Sequence, residues 1–201
     1  MLTKSLQRLF AVAAICLAAI IATPGICAQH DVALKTNLFY DATATINAGA
    51  EMQVAPKWSV DLSANFNGWT IGNDKRWKHW MIQPEARYWF CEALGGNFVA
   101  AHLLGGQYNF GNLDLPFKFL GTDYRELRDH RFQGWYGGLG IAYGHTWMLN
   151  RHWNLEAEIG LGWVYATYDK YPCATCGRKE ESGHHNYVGP TKAAINLVYV
   201  F

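Results

Sequence analysis

Two cysteines and two histidines lie close together near the end of the chain. Cys173 and Cys176 form a Cys-x-x-Cys sequence, and His184 and His185 follow in the same predicted loop. Thiolate and imidazole groups at this spacing suit tetrahedral zinc. The two cysteines could instead close a small disulfide, which is favoured outside the cytosol. The loop therefore predicts a Cys173–Cys176 disulfide or a zinc site, the only cofactor indicated, with two free thiols as the third alternative.

Glu156 and Glu158 form a second candidate, a pair of carboxylates two residues apart. On a β-strand this spacing puts both on one face, with about 7 Å between their Cα atoms. Such a pair can perform acid–base chemistry. A structural role is the other interpretation, because charges inside a narrow ring of strands must pair and fill it. The predicted charge cluster, in the periplasmic half of the lumen, comprises Lys35, Glu51, Asp61, Glu85, Arg87, Glu156 and Glu158.

A third chemistry to consider is lipid hydrolysis or acyl transfer, in which an acid holds a serine or histidine near a membrane surface. The side chains available for it are His79, His145, Ser182 and His184. No serine, histidine and acid combine at a recognisable spacing, so we predict no catalytic residue. An outer-membrane rim enzyme of lipase or acyltransferase type remains the alternative function.

Alternation of apolar and polar residues indicates the elements that carry these side chains. The pattern is clearest in residues 46–54, 58–66 and 153–165, and it is weaker in residues 32–40, 80–90, 98–110 and 132–147. The last residues also alternate, with Leu197, Tyr199 and Phe201 on one face. Together these segments predict about eight strands, the number in the smallest common membrane barrel.

The connections between these segments alternate in length, as they do in outer-membrane barrels. Short breaks fall at residues 55–57, 91–97 and 148–152, and long polar ones fall at residues 68–78, 111–130 and 169–186. This order predicts that both termini are periplasmic. The first external link, at residues 41–43, is shorter than the others.

Aromatic residues indicate which face of the strands is outside. They gather near the predicted periplasmic turns (Trp58, Phe90, Phe98, Trp147, Trp153, Phe201) and toward the external ends (Trp69, Trp80, Phe110, Trp135, Tyr168). Two aromatic belts mark the two membrane interfaces. A lipocalin would show the same alternation but has no reason to place aromatics at its rims, so the pattern favours a membrane barrel.

Composition and the N-terminus agree with this interpretation. Aromatics make up 15% of the chain and charged residues only 16%, against about 25% charged in soluble domains. The net charge of +1 gives no reason to expect nucleic acid as a partner. Lys4 and Arg8 precede a short apolar run, and Ala28 supplies a small residue for cleavage. We therefore predict a signal peptide over residues 1–28 and a single barrel domain over residues 29–201.

Several stretches resemble one known family. They include Leu34–Ala42, Lys78–Trp80, Gln83–Trp89, Gly105–Tyr108, Trp153–Glu156, Tyr168–Cys173, Cys176–Gly177 and Gly189–Ala194. These segments are similar to the Bacteroidota family called domain of unknown function 3575. The resemblance covers nearly all of the mature chain and implies an outer-membrane barrel, often encoded beside fimbria components. It implies no activity.

The combined prediction is an all-β protein, a single antiparallel transmembrane β-barrel of about eight strands behind a cleaved signal peptide. Its role is structural or interactive, with a plugged lumen, and is tied to envelope integrity or fimbria biogenesis. Expected partners are outer-membrane lipid and lipopolysaccharide, the barrel assembly machinery, and fimbrial or surface proteins. Leu197, Tyr199 and Phe201 would form the signal that the assembly machinery reads.

Overall fold

The computed structural model of the protein describes residues 32–71, 75–112, 118–119, 122–123, 130–172 and 177–201. The predicted signal peptide and the cysteines Cys173 and Cys176 lie outside these residues. Among the described residues, no helix has the length and apolar character needed to cross a membrane.

The described chain is almost entirely strand. Its elements are β1 (Val32–Asn37), α1 (Leu38–Ala42), β2 (Ile46–Ala55), β3 (Trp58–Asn67), β4 (Thr70–Ile71), β5 (Lys75–Trp89), β6 (Gly96–Gly111), β7 (Lys118–Phe119), β8 (Thr122–Asp123), β9 (Arg131–Met148), β10 (Trp153–Tyr171) and β11 (Glu181–Val200).

Eight of these strands close into a ring in which every neighbouring pair is antiparallel. The order is β1, β2, β3, β5, β6, β9, β10 and β11, and β11 pairs back onto β1. Ala33 is opposite Val200 at this closure. The predicted all-β ring of about eight antiparallel strands is thereby confirmed. A closed ring leaves no free strand edge, so neighbouring strands satisfy each other's backbone groups.

Both ends of the described chain lie at the same end of the ring. The backbone N–H of Phe201 donates to the carbonyl of Val32 over 3.0 Å. The turn at Pro56 and Lys57 joins β2 to β3 at this end, where the N–H of Ala93 donates to the Pro56 carbonyl. We call this the terminal end of the ring and the other the distal end.

The two faces of the strands differ sharply in polarity. Along β3, Ser59 and Asp61 are buried inside the ring, whereas Val60 and Leu62 are exposed outside it. Ile141 on β9 and Ile159 on β10 expose 72% and 62% of their surface. Because side chains alternate along a strand, one face fills the ring with polar groups and the other surrounds it with apolar ones.

The chain between β1 and β2 differs from the expected strand over residues 32–40. The strand stops at Asn37, whose side chain accepts a hydrogen bond from the backbone N–H of Phe39 and caps α1. Asp41 then accepts from the Thr36 hydroxyl at 2.9 Å and from the Asn47 amide at 2.7 Å. These local bonds offer the backbone an alternative to the ladder, so a short helix forms.

Three strands are longer than their sequence patterns suggested. β5 begins at Lys75, β10 continues to Tyr171 and β11 begins at Glu181, so much of the polar sequence expected in loops is paired strand. The pairing of Lys170 with Glu181 shows how far the β10–β11 ladder extends. Polar residues occur on both faces of these distal extensions. A search for alternating apolar and polar residues therefore misses them.

Phe98 corrects the predicted aromatic belt. It lies at the terminal end of β6 as expected, but its ring points inward and is fully buried. The facing residue on β9 is Gly144, and a Cβ there would overlap the Phe98 ring. The residues around Val99 are apolar on both faces, so polarity alone does not reveal which face of β6 is inside.

A bulge in β11 reverses its alternation. Gly160 pairs with Lys192 and Leu161 pairs with Pro190, which leaves Thr191 as the extra residue. Proline lacks the N–H that a regular ladder requires, so within sheets it is tolerated at bulges. The Thr191 hydroxyl lies 2.9 Å from Nε2 of His102. Even-numbered residues face inward after the bulge, and odd-numbered ones face inward before it.

Candidate functional site

The predicted charge cluster is assembled inside the ring by five strands. β1 supplies Lys35, β2 supplies Glu51, β3 supplies Asp61, β5 supplies Glu85 and Arg87, and β10 supplies Glu156 and Glu158. All seven side chains are buried. The structure brings the seven together because each occupies an inward position at a similar height in the ring.

Arg87 is the centre of the cluster. Its Nη1 lies 2.8 Å from Glu51 and 2.7 Å from Glu156, and its Nη2 lies 2.8 Å from Glu158. Its Nε donates to Glu85 over 2.6 Å. Guanidinium presents five N–H donors in a fixed plane, so one arginine can hold carboxylates from several strands.

Two lysines complete the ion pairs. Lys35 Nζ lies 2.5 Å from Glu51 and 3.1 Å from Asp61. Lys192 Nζ lies 2.7 Å from Glu85 and 3.1 Å from Glu158. Sequence reasoning missed Lys192, although it shares a face with Ala194, Asn196 and Val198 of the closing strand. That shared face was the signal that could have found it.

Neutral groups occupy much of the remaining carboxylate surface. Ser59 donates to Glu51, and Glu156 accepts from the Asn196 amide at 2.8 Å and from the Thr146 hydroxyl at 3.2 Å. Glu156 and Glu158 both bind Arg87, so the two carboxylates belong to one ion-pair network. Such a network holds distant strands together and leaves little room for a substrate between the carboxylates.

Apolar side chains close the ring on the terminal side of the cluster. The rings of Trp89 and Phe98 lie 4.6 Å apart, and both side chains are fully buried. Arg87 sits over the Phe98 ring, with 4.4 Å between its Cζ and the ring centroid. The Trp89 indole N–H donates to Ser59 over 2.8 Å. Together with the charge cluster, these rings block the terminal half of the lumen.

The side chains considered for lipid chemistry have separate surroundings. Nδ1 of His79 lies 3.2 Å from the Trp77 carbonyl, and Nδ1 of His145 lies 2.6 Å from Asn97. Ser182 donates to Asp169 over 2.6 Å, while the His184 ring stacks on Tyr165. The hydrogen bond from Ser182 and the nearby Lys179 ammonium hold the pKa of Asp169 below its ordinary value. This serine therefore donates to an acid and not to a histidine base.

The predicted metal or disulfide loop can be followed only through its histidines, since Cys173 and Cys176 lie outside the described residues. His184 is opposite Thr167 and His185 is opposite Ala166 on β10. Adjacent strand residues point to opposite faces, so the two imidazoles diverge. In the part of the chain that the structure describes, no three histidine, cysteine, aspartate or glutamate side chains gather as metal ligands would.

The proposed assembly signal lies on the outer face of β11. Phe201 exposes 66% of its surface, and its ring centroid is 5.0 Å from that of Tyr199. The Tyr199 ring is also 5.1 Å from Trp153 on β10. Leu197 pairs with Thr36 on one side and Leu155 on the other. These contacts place the three side chains along the seam where the ring closes.

Comparison with known proteins gives one family and no curated relative. No curated protein matches the chain. The family described as "Protein of unknown function (DUF3575)" matches residues 12–201. Because this match spans nearly the whole chain, the protein belongs to the DUF3575 family.

Proposed function

We propose that this protein is an outer-membrane β-barrel whose lumen is plugged and whose role is structural or interactive. The observation that carries the proposal is the reversed polarity of the ring, with charges buried inside and large apolar side chains exposed outside. In water, a continuous exposed apolar surface drives association. In a bilayer the same surface contacts lipid, and the closed ring satisfies every backbone group.

The exposed apolar band supports a spanning orientation. It includes the exposed side chains of Leu62, Leu103, Leu139, Ile141, Ile159 and Leu161. These residues come from β3, β6, β9 and β10, so the band covers much of the circumference. Strands of about ten residues, tilted near 40°, cross a band of roughly 25 Å, which corresponds to the apolar zone of such barrels.

Aromatic side chains support the position of the two interfaces. Trp58, Phe90, Trp147, Trp153 and Phe201 are exposed near the terminal end. Trp69 and Trp135 are exposed toward the distal end. Amphipathic aromatic rings are enriched at both surfaces of a membrane. With the terminal end in the periplasm, the distal strand extensions would project from the cell surface.

The blocked lumen favours a structural role over transport. Trp89, Phe98 and the charge cluster block the passage, so a solute has no continuous route through the ring. The distal extensions of β5, β10 and β11 then offer the surface for contacts with lipopolysaccharide or with fimbrial and other surface proteins. The proposed role is support of envelope integrity or of fimbria biogenesis, after insertion by the barrel assembly machinery.

The test is to locate the protein and capture what it touches. Outer and inner membranes of expressing cells are separated by density, and we expect the protein in the outer-membrane fraction, with altered gel mobility after boiling. A photo-crosslinking residue at an exposed distal position such as Glu181 should then capture lipopolysaccharide or a surface protein, whereas one at Cys91 should not. Recovery of the protein in the soluble or inner-membrane fraction would refute the proposal.

A further inference from the structure

A cavity of about 300 Å³ lies on the distal side of the charge cluster. Its wall includes the inward-facing residues that come next on the distal side of the charge cluster, two or four positions along each strand. Among them are Asn47, Ser63, Asn65 and Gln83. Tyr40 of α1 lines its distal side, with its hydroxyl beside Asn65. A space of this size is at the lower end of the range for small-molecule pockets.

Two buried amides in this wall have polar atoms with no partner. Asn65 and Gln83 expose 6% and 3% of their surface. Asn65 Oδ1, an acceptor, and Gln83 Nε2, a donor, form no hydrogen bond with any described residue. Leaving a buried polar atom unpaired destabilises the fold, so natural proteins rarely retain two together without a reason.

The other amides around the cavity are already engaged. The Asn47 amide donates to Asp41 over 2.7 Å, and its carbonyl accepts from the Asn37 backbone N–H at 2.6 Å. The Asn196 amide donates to Glu156. This contrast singles out Asn65 and Gln83. Their strands are paired, with Ser63 opposite Gln83 and Asn65 opposite Met81, so the two amides are diagonal neighbours within reach of one small molecule.

The cavity offers hydrogen bonds without an available charge. Lys35 and Lys192 reach its floor, but their ammonium groups contact Glu51 and Asp61, and Glu85 and Glu158, respectively. The carboxylates already neutralise both lysines, so the cavity has no free positive charge to bind an anion. A hydroxyl group both donates and accepts, so it can satisfy an amide oxygen and an amide nitrogen together. Tyr40 adds an aromatic face on which C–H groups can rest.

We propose that this cavity binds a neutral, polyhydroxylated molecule about the size of one sugar ring, which donates to Asn65 and accepts from Gln83. The ring could arrive as a free sugar or as the end residue of a surface glycan, since both present the same hydroxyl groups. The binding site lies inside the ring, so its residues are the same in a membrane and in detergent.

The experiment measures binding to the full mature protein refolded in a detergent without a sugar head group. Saturation-transfer NMR titrations use methyl α-glucoside and methyl β-galactoside as neutral probes, with glucuronate and glucosamine as charged counterparts. We expect saturable binding of at least one neutral probe in the millimolar range, and at least tenfold weaker binding of both charged sugars. A methyl disaccharide that binds equally well would assign the site to glycan ends. Binding of the monosaccharide alone would assign it to free sugars.

Near-isosteric variants identify the residues. Asn65→Leu and Gln83→Met should each raise the Kd about tenfold, because each removes one hydrogen bond and leaves a sugar hydroxyl unpaired. Gln107→Met is the matched control, since this amide lies outside the cavity and accepts from Trp80. Heat-modified gel mobility verifies that every variant is folded. No saturation by any neutral probe up to about 50 mM, tighter binding of glucuronate, or an equal loss in Gln107→Met would overturn the proposal.

Discussion

Arg87 and Glu156 form a two-pronged ion pair across the ring, although they lie on strands that are not neighbours. Arg87 Nη1 donates to Glu156 Oε2 over 2.7 Å, and Nη2 donates to Oε1 over 3.2 Å. β6 and β9 separate their strands on the shorter path around the ring. The pair therefore ties opposite walls together in a way that no hairpin can.

Removal of Arg87 should be the most damaging change in the lumen. Arg87→Met leaves Glu51, Glu85, Glu156 and Glu158 without their shared cation, and breaking a buried pair from one side costs about 3–5 kcal/mol. Arg87→Lys is the matched control, because it keeps a charge but loses the planar fork, and we expect it to cost less. Urea unfolding in lipid vesicles measures both free energies. A loss below about 1 kcal/mol for Arg87→Met would contradict the structural role of the cluster.

A charge on the outer face should cost stability according to membrane depth. Leu62→Arg places a cation on the exposed apolar band, and we expect a loss of about 2–4 kcal/mol in the free energy of unfolding in vesicles. Ser63→Arg is the control, because Ser63 faces the cavity on the inner side of the same strand. Gly162 is unsuitable as a control, since a Cβ there would lie 2.7 Å from Gly140 Cα. Equal losses at Leu62 and Ser63 would argue against a lipid-facing exterior.

The filled lumen should prevent conduction. Purified protein in planar bilayers should show no stable, porin-sized channel, because Trp89, Phe98 and the charge cluster block the terminal half of the ring. The double variant Trp89→Ala, Phe98→Ala tests the plug, since it removes the two packed rings at the terminal end, and we expect brief conducting events from it. Large, steady channels from the unaltered protein would show that the lumen opens.

Thiol labelling should separate the cysteines by side of the membrane. Cys91 is exposed and follows β5 at the terminal end of the ring. Cys173 and Cys176 lie outside the described residues, and the sequence predicts an external loop for them. A membrane-impermeant reagent on intact cells, after mild reduction, should label the distal pair and spare Cys91. If the pair holds zinc, a chelator instead of a reductant should expose it, and His184→Ala should weaken metal retention more than an alanine at an unrelated exposed position.

Peptide mapping supplies the contradicting outcome for this topology. The apolar band is about 25 Å tall, and a disulfide requires Cα atoms within about 7 Å. With Cys91 periplasmic and Cys173 and Cys176 external, as predicted, Cys91 should form no disulfide with either of them within one molecule. A native intramolecular crosslink between Cys91 and Cys173 would mean that the strand order is wrong.

We expect the protein to leave lipid chemically unchanged. Ser182 donates to Asp169 and His184 stacks on Tyr165, so neither is arranged to activate a nucleophile. Mass spectrometry of lipid A and phospholipid incubated with pure protein should show intact acyl chains. Deacylation that is lost in Ser182→Ala but kept in Ser63→Ala would establish the rim-enzyme alternative.

Strands and faces were predictable from the chain because alternation is a local property. A residue's parity along Trp58–Phe66 or Trp153–Tyr165 decides its face whatever the rest of the fold does. Lys35, Asp61 and Glu156 could thus be assigned to one face before any contact was known. The family resemblance rested on local motifs in the same way, and the family match confirms it.

Contacts across the lumen were decided by closure of the ring. Which inward side chains meet depends on how far each strand is shifted against its neighbours, and that shift accumulates around all eight strands. This accumulated shift determines the hydrogen bond from Arg87 to Glu156. It also determines the inward position of Lys192 beside the Thr191 bulge and the packing of Phe98 into the space left by Gly144. The unpaired Asn65 and Gln83 arise likewise, because an atom lacks a partner only once every other strand is in place.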